Sequence, residues 1–425
     1  MRVKNRIITI SGEPVTGKGT NVKAIEEKLL NRGYKKDNIH IITTGHEFRK
    51  YFEIIIELVR NIDNDDVLKK LQENEEIKSI FNNAEYRNRF TKELAKLKKS
   101  GKDFSQTLSI EQANNTPELA GIREIVDTII DKNIEKLGIE INKKERKNEV
   151  WIIDSRLAFS NIPDSFKVRL TCLPHVAGQR LLGDNTRGKE DREYKDLQDA
   201  INQREKRRIG EIERYKQRYN VDLSDEKNYD LIIDTSFASI NDISDTILTC
   251  LDRYQNGEYV AKRWTSPKML IPAQHPCMTF TPRCEDFKEV KKSIAKNGFD
   301  QSYDVEAVRI DGILYLDNGH KRTFSSGMAG KTLVPYYLLN ENVKGGKGID
   351  KKDVESARKA EERVKREVAA TPIQYLYDHE DAFGGGFRYT TVYPDLMKKL
   401  EKIKEDVKKL NEKKKAAKTD DYMER

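Results

Sequence analysis

Cysteine is scarce in this chain: four residues in 425, at Cys172, Cys250, Cys277 and Cys284, none in a paired C-x-x-C spacing. That excludes a disulfide scaffold and a zinc site built on paired cysteines, and it predicts a reducing, cytoplasmic setting. Long hydrophobic runs are missing as well. Nowhere do the roughly eighteen consecutive apolar residues of a membrane span occur, and the chain enters its first apolar run without the pattern of a signal peptide, so no membrane partner is expected. Charge of one sign is not dominant either. Lysine and arginine number 79 against 71 aspartates and glutamates, a net charge of +8, which permits a polyanionic partner such as DNA without demanding one. What the chain does have is charge of both signs: 35% charged residues stand beside only 36% hydrophobic ones. Long solvated helices around compact centres are expected, and 425 residues exceed what one core normally holds.

The most informative segment is Gly12 to Thr20, GEPVTGKGT, which follows the apolar run Ile7 to Ile10 and precedes the helical pattern NVKAIEEKLL. A glycine-rich turn between a strand and a helix start points backbone N–H groups at a phosphate, and one lysine reaches the outer phosphates. Gly12, Thr16, Gly17, Lys18, Gly19 and Thr20 are therefore the candidate phosphate-binding residues. The hydroxyl usually placed directly after the lysine arrives one residue late, at Thr20, because Gly19 intervenes.

Strand-like runs at Ile7 to Ile10, Ile39 to Ile42, Val150 to Ile153, Val168 to Cys172 and Leu231 to Ile233 alternate with helical patterns. This predicts an α/β first domain over residues 1–256, with a parallel sheet flanked by helices. A highly charged stretch over residues 60–104 reads as a helical insertion within it. Near residue 262 the texture changes: prolines cluster at 267, 272, 276 and 282, then a helical FKEVKKSIAKNG and three strand-like segments follow. A small α+β domain is expected over 262–345 and a charged helical C-terminal region over 346–425. The lysine-rich helix near the C-terminus suits a solvated helix or short coiled coil.

Four further motifs give the first domain a specific resemblance. TTGHEFR (Thr43 to Arg49), IIDSRLAF (Ile152 to Phe159), RRIGEIERY (Arg207 to Tyr215) and YNVDLSDEKNYDLIIDTS (Tyr219 to Ser236) fall in the order seen in nucleoside monophosphate kinases of the P-loop class. Together they resemble cytidylate kinases over about residues 6–251. The resemblance implies an ATP-dependent phosphotransferase acting on a pyrimidine (deoxy)nucleotide, with ATP and Mg2+ as cofactors. By it, Lys18 and the turn hold the ATP phosphates, Thr20 and Asp154 place magnesium, and Arg49 and Arg156 grip the acceptor near Thr44 and Gly45. Arg207 and Arg214 close from a lid, Glu211 orients the acceptor or its sugar, and Arg180, Arg187 and Arg192 support the lid approach. Phosphoryl transfer is mostly positioning and charge neutralisation, which is why lysine, arginine and carboxylates recur in this pattern. Glu13 and Val15 depart from the small residues of relatives and set a carboxylate near the phosphates.

The segment DVEAVRIDGILYLDNGHKRTFSS resembles the ParB/sulfiredoxin-like fold through a G-x-x-R turn opening a helix. Gly319, His320, Lys321 and Arg322 make that turn, and the resemblance implies that they bind nucleotide phosphates. Two alternatives to a free-nucleotide kinase stay open at this point. One is a kinase of a hydroxymethylated base in DNA; the other is a nucleotide-gated, ParB-like DNA-binding or partition factor.

Overall fold

A computed structural model describes residues 5–60, 69, 73, 83–101, 116–183, 194–273, 285–343 and 349–423. The chain divides into two compact units, Met1–Asp230 and Leu231–Arg425. The strand-like run Leu231 to Ile233 and the helix after it, read from the sequence as the end of the first domain, fall in the second unit.

The first unit is built on four parallel strands in the order β2 (Ile39–Thr43), β3 (Val150–Asp154), β1 (Arg6–Gly12) and β4 (Phe166–Thr171). Their β-branched runs are buried on both faces, as a parallel layer covered by helices requires; Ile7, Ile8, Ile10, Ile152 and Ile153 are all at most 1% exposed. Register decides where the chemistry collects. Ile10 pairs with Asp154, Thr43 pairs with Asp154 from the other side, and Gly12 pairs with Leu170. The C-terminal ends of all four strands thus reach one edge, where α1 (Lys18–Asn31) and α2 (Thr44–Arg60) begin. Ligands of open parallel sheets bind at that edge.

Three longer helices complete this unit's core. Helix α3 (Ala84–Ser100) starts on an Asn83 side chain that accepts from the Glu85 N–H at 2.9 Å and stops at Gly101, which takes a left-handed φ of 63°. Helix α4 (Ala120–Asn142) buries Ile122, Ile125, Val126, Ile129, Ile130 and Ile134 at helical spacing, packing on Phe52 and Phe90. Two short helices, α5 (Ala158–Asn161) and α6 (Pro174–Gly183), lead to α7 (Leu197–Tyr219), whose N-cap is Asp196. Of the charged insertion expected over 60–104, the part over 84–100 is helix α3; most of its first half lies outside the described residues.

The second unit carries a mixed sheet in the order β5 (Leu231–Asp234), β6 (Arg263–Thr265), β10 (Val334–Leu338), β8 (Val305–Ile310), β9 (Ile313–Asn318) and β7 (Leu270–Pro272). Its pairs alternate between parallel and antiparallel. Between them lie α8 (Ile240–Asn256), α9 (Glu285–Asn297) and α10 (His320–Met328). After the sheet come α11 (Lys351–Ala370), α12 (Gln374–Ala382), the short α13 (Tyr389–Val392) and α14 (Leu396–Met423). The whole is mixed α/β, and no described helix is long and apolar enough to cross a membrane.

Candidate phosphate-binding site

Strand β1 ends at Gly12 because a side chain there has no room: a Cβ would sit 2.7 Å from the Leu170 carbonyl oxygen and 2.9 Å from the Thr16 hydroxyl. The chain then turns through Glu13 to Gly17. Gly17, the N-cap of α1, takes a left-handed φ of 77° that glycine adopts without cost. Val15 takes φ 67°, an outlying conformation for a β-branched residue. Its carbonyl accepts from Arg180 Nη1 at 3.3 Å, and the Thr16 hydroxyl donates to the Glu13 carbonyl at 3.0 Å, so the strained turn is held from both sides.

Lys18 folds back over the turn. Its Nζ donates to the carbonyl oxygens of Gly12 at 3.0 Å and Glu13 at 3.3 Å. Burial, followed by the Arg156 guanidinium, pushes its pKa down to about 7, against the smaller upward pull of Asp154 and Glu211. Arg156, two residues past the end of β3, donates from Nη1 to the Gly12 carbonyl at 2.5 Å and from Nη2 to Glu211 at 2.9 Å. The same carboxylate oxygen of Glu211 accepts from Arg207 Nε at 3.1 Å. Burial alone would raise the Glu211 pKa; Arg156 and then Arg207 overcome it and hold the carboxyl below its usual range. Asp154 is raised by burial and opposed by Lys18, Arg156 and Arg49. The Thr44 hydroxyl donates to the Asp154 carbonyl at 3.1 Å.

The structure therefore brings Lys18, Asp154, Arg156, Arg207 and Glu211 to the turn, with Thr44, Gly45 and Arg49 beside them at the start of α2. It does not bring Arg214. That side chain is exposed and lies over the ring of Tyr215 at 5.6 Å, with Asp127 and Arg123 as its charged neighbours. Helical spacing gives the reason: on α7 the residue that follows Glu211 inward is Tyr215, 8% exposed, rather than Arg214. Gly19 and Thr20 are exposed at the start of α1. Among the described residues no group of three or more His, Cys, Asp or Glu side chains is placed to hold a metal ion. Arg187 and Arg192 lie outside the described residues, as do Cys277 and Cys284, while Cys172 and Cys250 are buried free thiols.

Sequence reasoning missed two groups. Glu13 turns away from the mouth of the turn: its carboxylate accepts from Arg204 Nη2 at 2.5 Å and Arg169 Nη2 at 3.4 Å. Arg204, 3% exposed, also donates to the Cys172 carbonyl at 3.3 Å. Further along α7, Tyr219 donates to Asp131 at 2.5 Å and Arg218 sits 3.5 Å from Asp127, both on α4. Burial raises Asp127 and takes Asp131 up to about 6. Only the helical stripe Glu211, Tyr215, Tyr219 hinted at this second cluster.

In the second unit the turn at Gly319 is tight, with φ 93° and a Cβ position 2.6 Å from Val305. Arg322 Nη1 is committed to the carbonyls of Tyr303 and Asp304. His320 is 8% exposed and faces His379, and burial lowers its pKa to about 4. In this turn His320 is buried, while Gly319, Lys321 and Arg322 are half-buried.

No protein-family model matches the chain. It is 32% identical over 189 residues to an S-adenosylmethionine-dependent nucleotide dehydratase from Lacinutrix mariniflava, a match covering 44% of this chain and 34% of that protein. The chain thus spans about a third of the length of this curated relative. An uncharacterized protein from Eubacterium ventriosum aligns structurally over 59% of this chain and 99% of its own, at 14% identity and a TM-score of 0.30.

The dehydratase corrects the expected activity. The relative's name points to dehydration of a nucleotide, a different activity from the expected phosphate transfer from ATP to a pyrimidine nucleotide or to a base in DNA, and from nucleotide-gated partition. ATP and Mg2+ are withdrawn with them, because the relative depends on S-adenosylmethionine. The physical reason for the error is plain. A glycine turn with lysine and arginines reports affinity for phosphate, and that affinity serves any reaction on a nucleotide.

Proposed function

We propose that the first unit binds a nucleotide by its phosphate, as part of an enzyme that acts on nucleotides. The observation that carries this reading is the convergence of Lys18, Arg156 and Arg207 on the turn after β1, at the C-terminal edge of a parallel sheet. Guanidinium groups match phosphate oxygens with paired donors, and the turn supplies backbone amides behind them. The curated relative, a protein acting on nucleotides, agrees with that ligand class.

S-adenosylmethionine does not fit this cradle. Its sulfonium is a cation, and the site already depresses the one lysine it encloses, by burial and by the Arg156 charge. A second cation would meet the same penalty, so no step is drawn through this cofactor. What the residues here do is bind and orient. Lys18 and Arg156 would exchange their contacts to the Gly12 carbonyl for phosphate oxygens, and Arg207 would swing from Glu211 to the same group.

Calorimetric titration of nucleoside phosphates into the wild-type chain and into Arg156→Ala tests this. Binding by the wild type that weakens at least about tenfold in the variant supports the reading; equal affinity in both places the ligand elsewhere.

A further inference from the structure

Helix α7 is tied to different neighbours along its length. Its first half is bound to the turn after β1, through Arg204 on Glu13 and then Glu211 on Arg156. Its last turn reaches across to α4 with long side chains. Tyr219 donates to Asp131 Oδ2 at 2.5 Å. Arg218 sets one guanidinium nitrogen 3.5 Å from Asp127 and gives the other to the Glu124 carbonyl and the Thr128 hydroxyl. Asp127 and Asp131 are one turn apart and so share a face of α4. Two carboxylates half-buried on one face repel each other and lose water together, and protonating either relieves both penalties.

The groups around this pair decide the sign of its response. From α7 come Arg214, Arg218, Tyr215 and Tyr219; from α4 itself come Arg123 and Glu124. Helix α5 adds an amide, Asn161, which donates to the Asp131 carbonyl at 3.2 Å, while Lys132 turns to Glu85 and the Tyr86 ring of α3. Three arginines favour the ionised form of Asp127, yet desolvation outweighs them. Burial likewise takes Asp131 up to about 6, against the Tyr219 hydrogen bond and the Arg218 charge. Were α7 to lift from this face, Asp131 would regain water and return toward the ordinary 3.8. A group that binds its proton more tightly in the closed arrangement makes closure tighten on acidification.

We propose that Asp131 and Tyr219, with Asp127 and Arg218 beside them, form a proton-operated latch between α4 and α7: protonation closes it, and closure steadies the helix that presents Glu211 and Arg207 to the turn. Only a proton is exchanged, between solvent and the Asp131 carboxylate. The reach along the helix follows from its continuity, because α7 runs unbroken from Leu197 to Tyr219 and Glu211, Tyr215 and Tyr219 lie on one stripe. The latch works without a ligand, so it stands whether or not the turn takes a nucleotide.

Hydrogen–deuterium exchange of the full chain at pH 5 to 7.5, corrected for the intrinsic pH dependence of exchange, tests this. Protection of the amides over residues 207–219 should be about tenfold higher at pH 5 than at pH 7. Asp131→Asn, which keeps an oxygen for Tyr219 and carries no charge, should hold the high protection at both values. Tyr219→Phe should move the step to higher pH, because the phenol's hydrogen bond favours the carboxylate; Asp127→Asn should move it to lower pH, because a repelling charge is gone. A purely structural role would lower protection without moving the step, so these two variants keep the outcome decisive if Asp131→Asn fails to fold. Flat protection in the wild type, protection that falls on acidification, or an unchanged step in Asp131→Asn overturns the latch. A step confined to residues 215–219 overturns its link to Glu211 and Arg207.

Discussion

The ammonium of Lys18 donates to the carbonyl oxygen of Gly12 at 3.0 Å, so the lysine closes the turn it belongs to. Burial and Arg156 hold its pKa near 7, against 10.5 for an ordinary lysine. Between those values the unfolded chain binds more protons than the folded one, so this group makes stability rise with pH across that window. Lys18→Met should flatten that slope and raise the melting temperature at neutral pH, while weakening phosphate binding by at least about tenfold. In the wild type, an anion recruits the proton to Lys18, so affinity should fall as pH climbs past 7. Melting curves and titrations at pH 6 to 9 check both signs.

Val15 stands at φ 67° in the same turn. Strain of this kind costs about 1–3 kcal/mol, and glycine returns about 0.5–1 kcal/mol of it as lost unfolded-state order. Val15→Gly should therefore stabilise the chain by about 1 kcal/mol, read from chemical denaturation. A loss of stability would mean that the valine side chain packs better than its backbone suffers.

Glu211 holds Arg156 and Arg207 with one carboxylate oxygen. Its folded pKa lies below the ordinary value, so its contribution is present above that value and lost as pH falls through the folded one. Glu211→Ala leaves Arg156 without its counter-charge and should cost about 3 kcal/mol, by denaturant unfolding at pH 7. The deficit should shrink as pH falls through the depressed folded value, where the wild type loses the same interaction.

These residues show what the sequence could and could not disclose. The turn was legible because glycines, lysine, a preceding apolar run and a following helix pattern are all local. Strands β1 to β5 followed from β-branched runs within a residue or two of their observed ends. The resemblance put Arg156 and Glu211 at one site, but their direct pairing, across 55 positions, was not legible. That of Glu13 with Arg204, 191 positions apart, left no local signal at all. Arg214 was misplaced because the motif names both it and Tyr215, and only helix geometry decides which of two adjacent residues turns inward. His320, which the resemblance of its G-x-x-R turn made a phosphate ligand, is buried at its helix start beside His379, a neighbour with no sign in the sequence.

His320 and His379 are both pushed down to about 4 by burial, against 6.5 for a free histidine. Here the unfolded chain binds more protons between pH 6.5 and 4, so stability falls as pH drops through that window, by up to about 1.4 kcal/mol per pH unit for each histidine. His320→Leu should remove one proton from that dependence. Denaturant unfolding of wild type and variant at pH 7, 6 and 5 measures it; parallel curves would show that His320 titrates normally.

The most direct test of the central claim is a crystal structure of the chain with a bound nucleoside monophosphate. The account predicts phosphate oxygens at about 3 Å from Lys18 Nζ and the Arg156 guanidinium, with the lysine released from the Gly12 carbonyl. A nucleotide bound elsewhere, with Lys18 still closed over the turn, would contradict it.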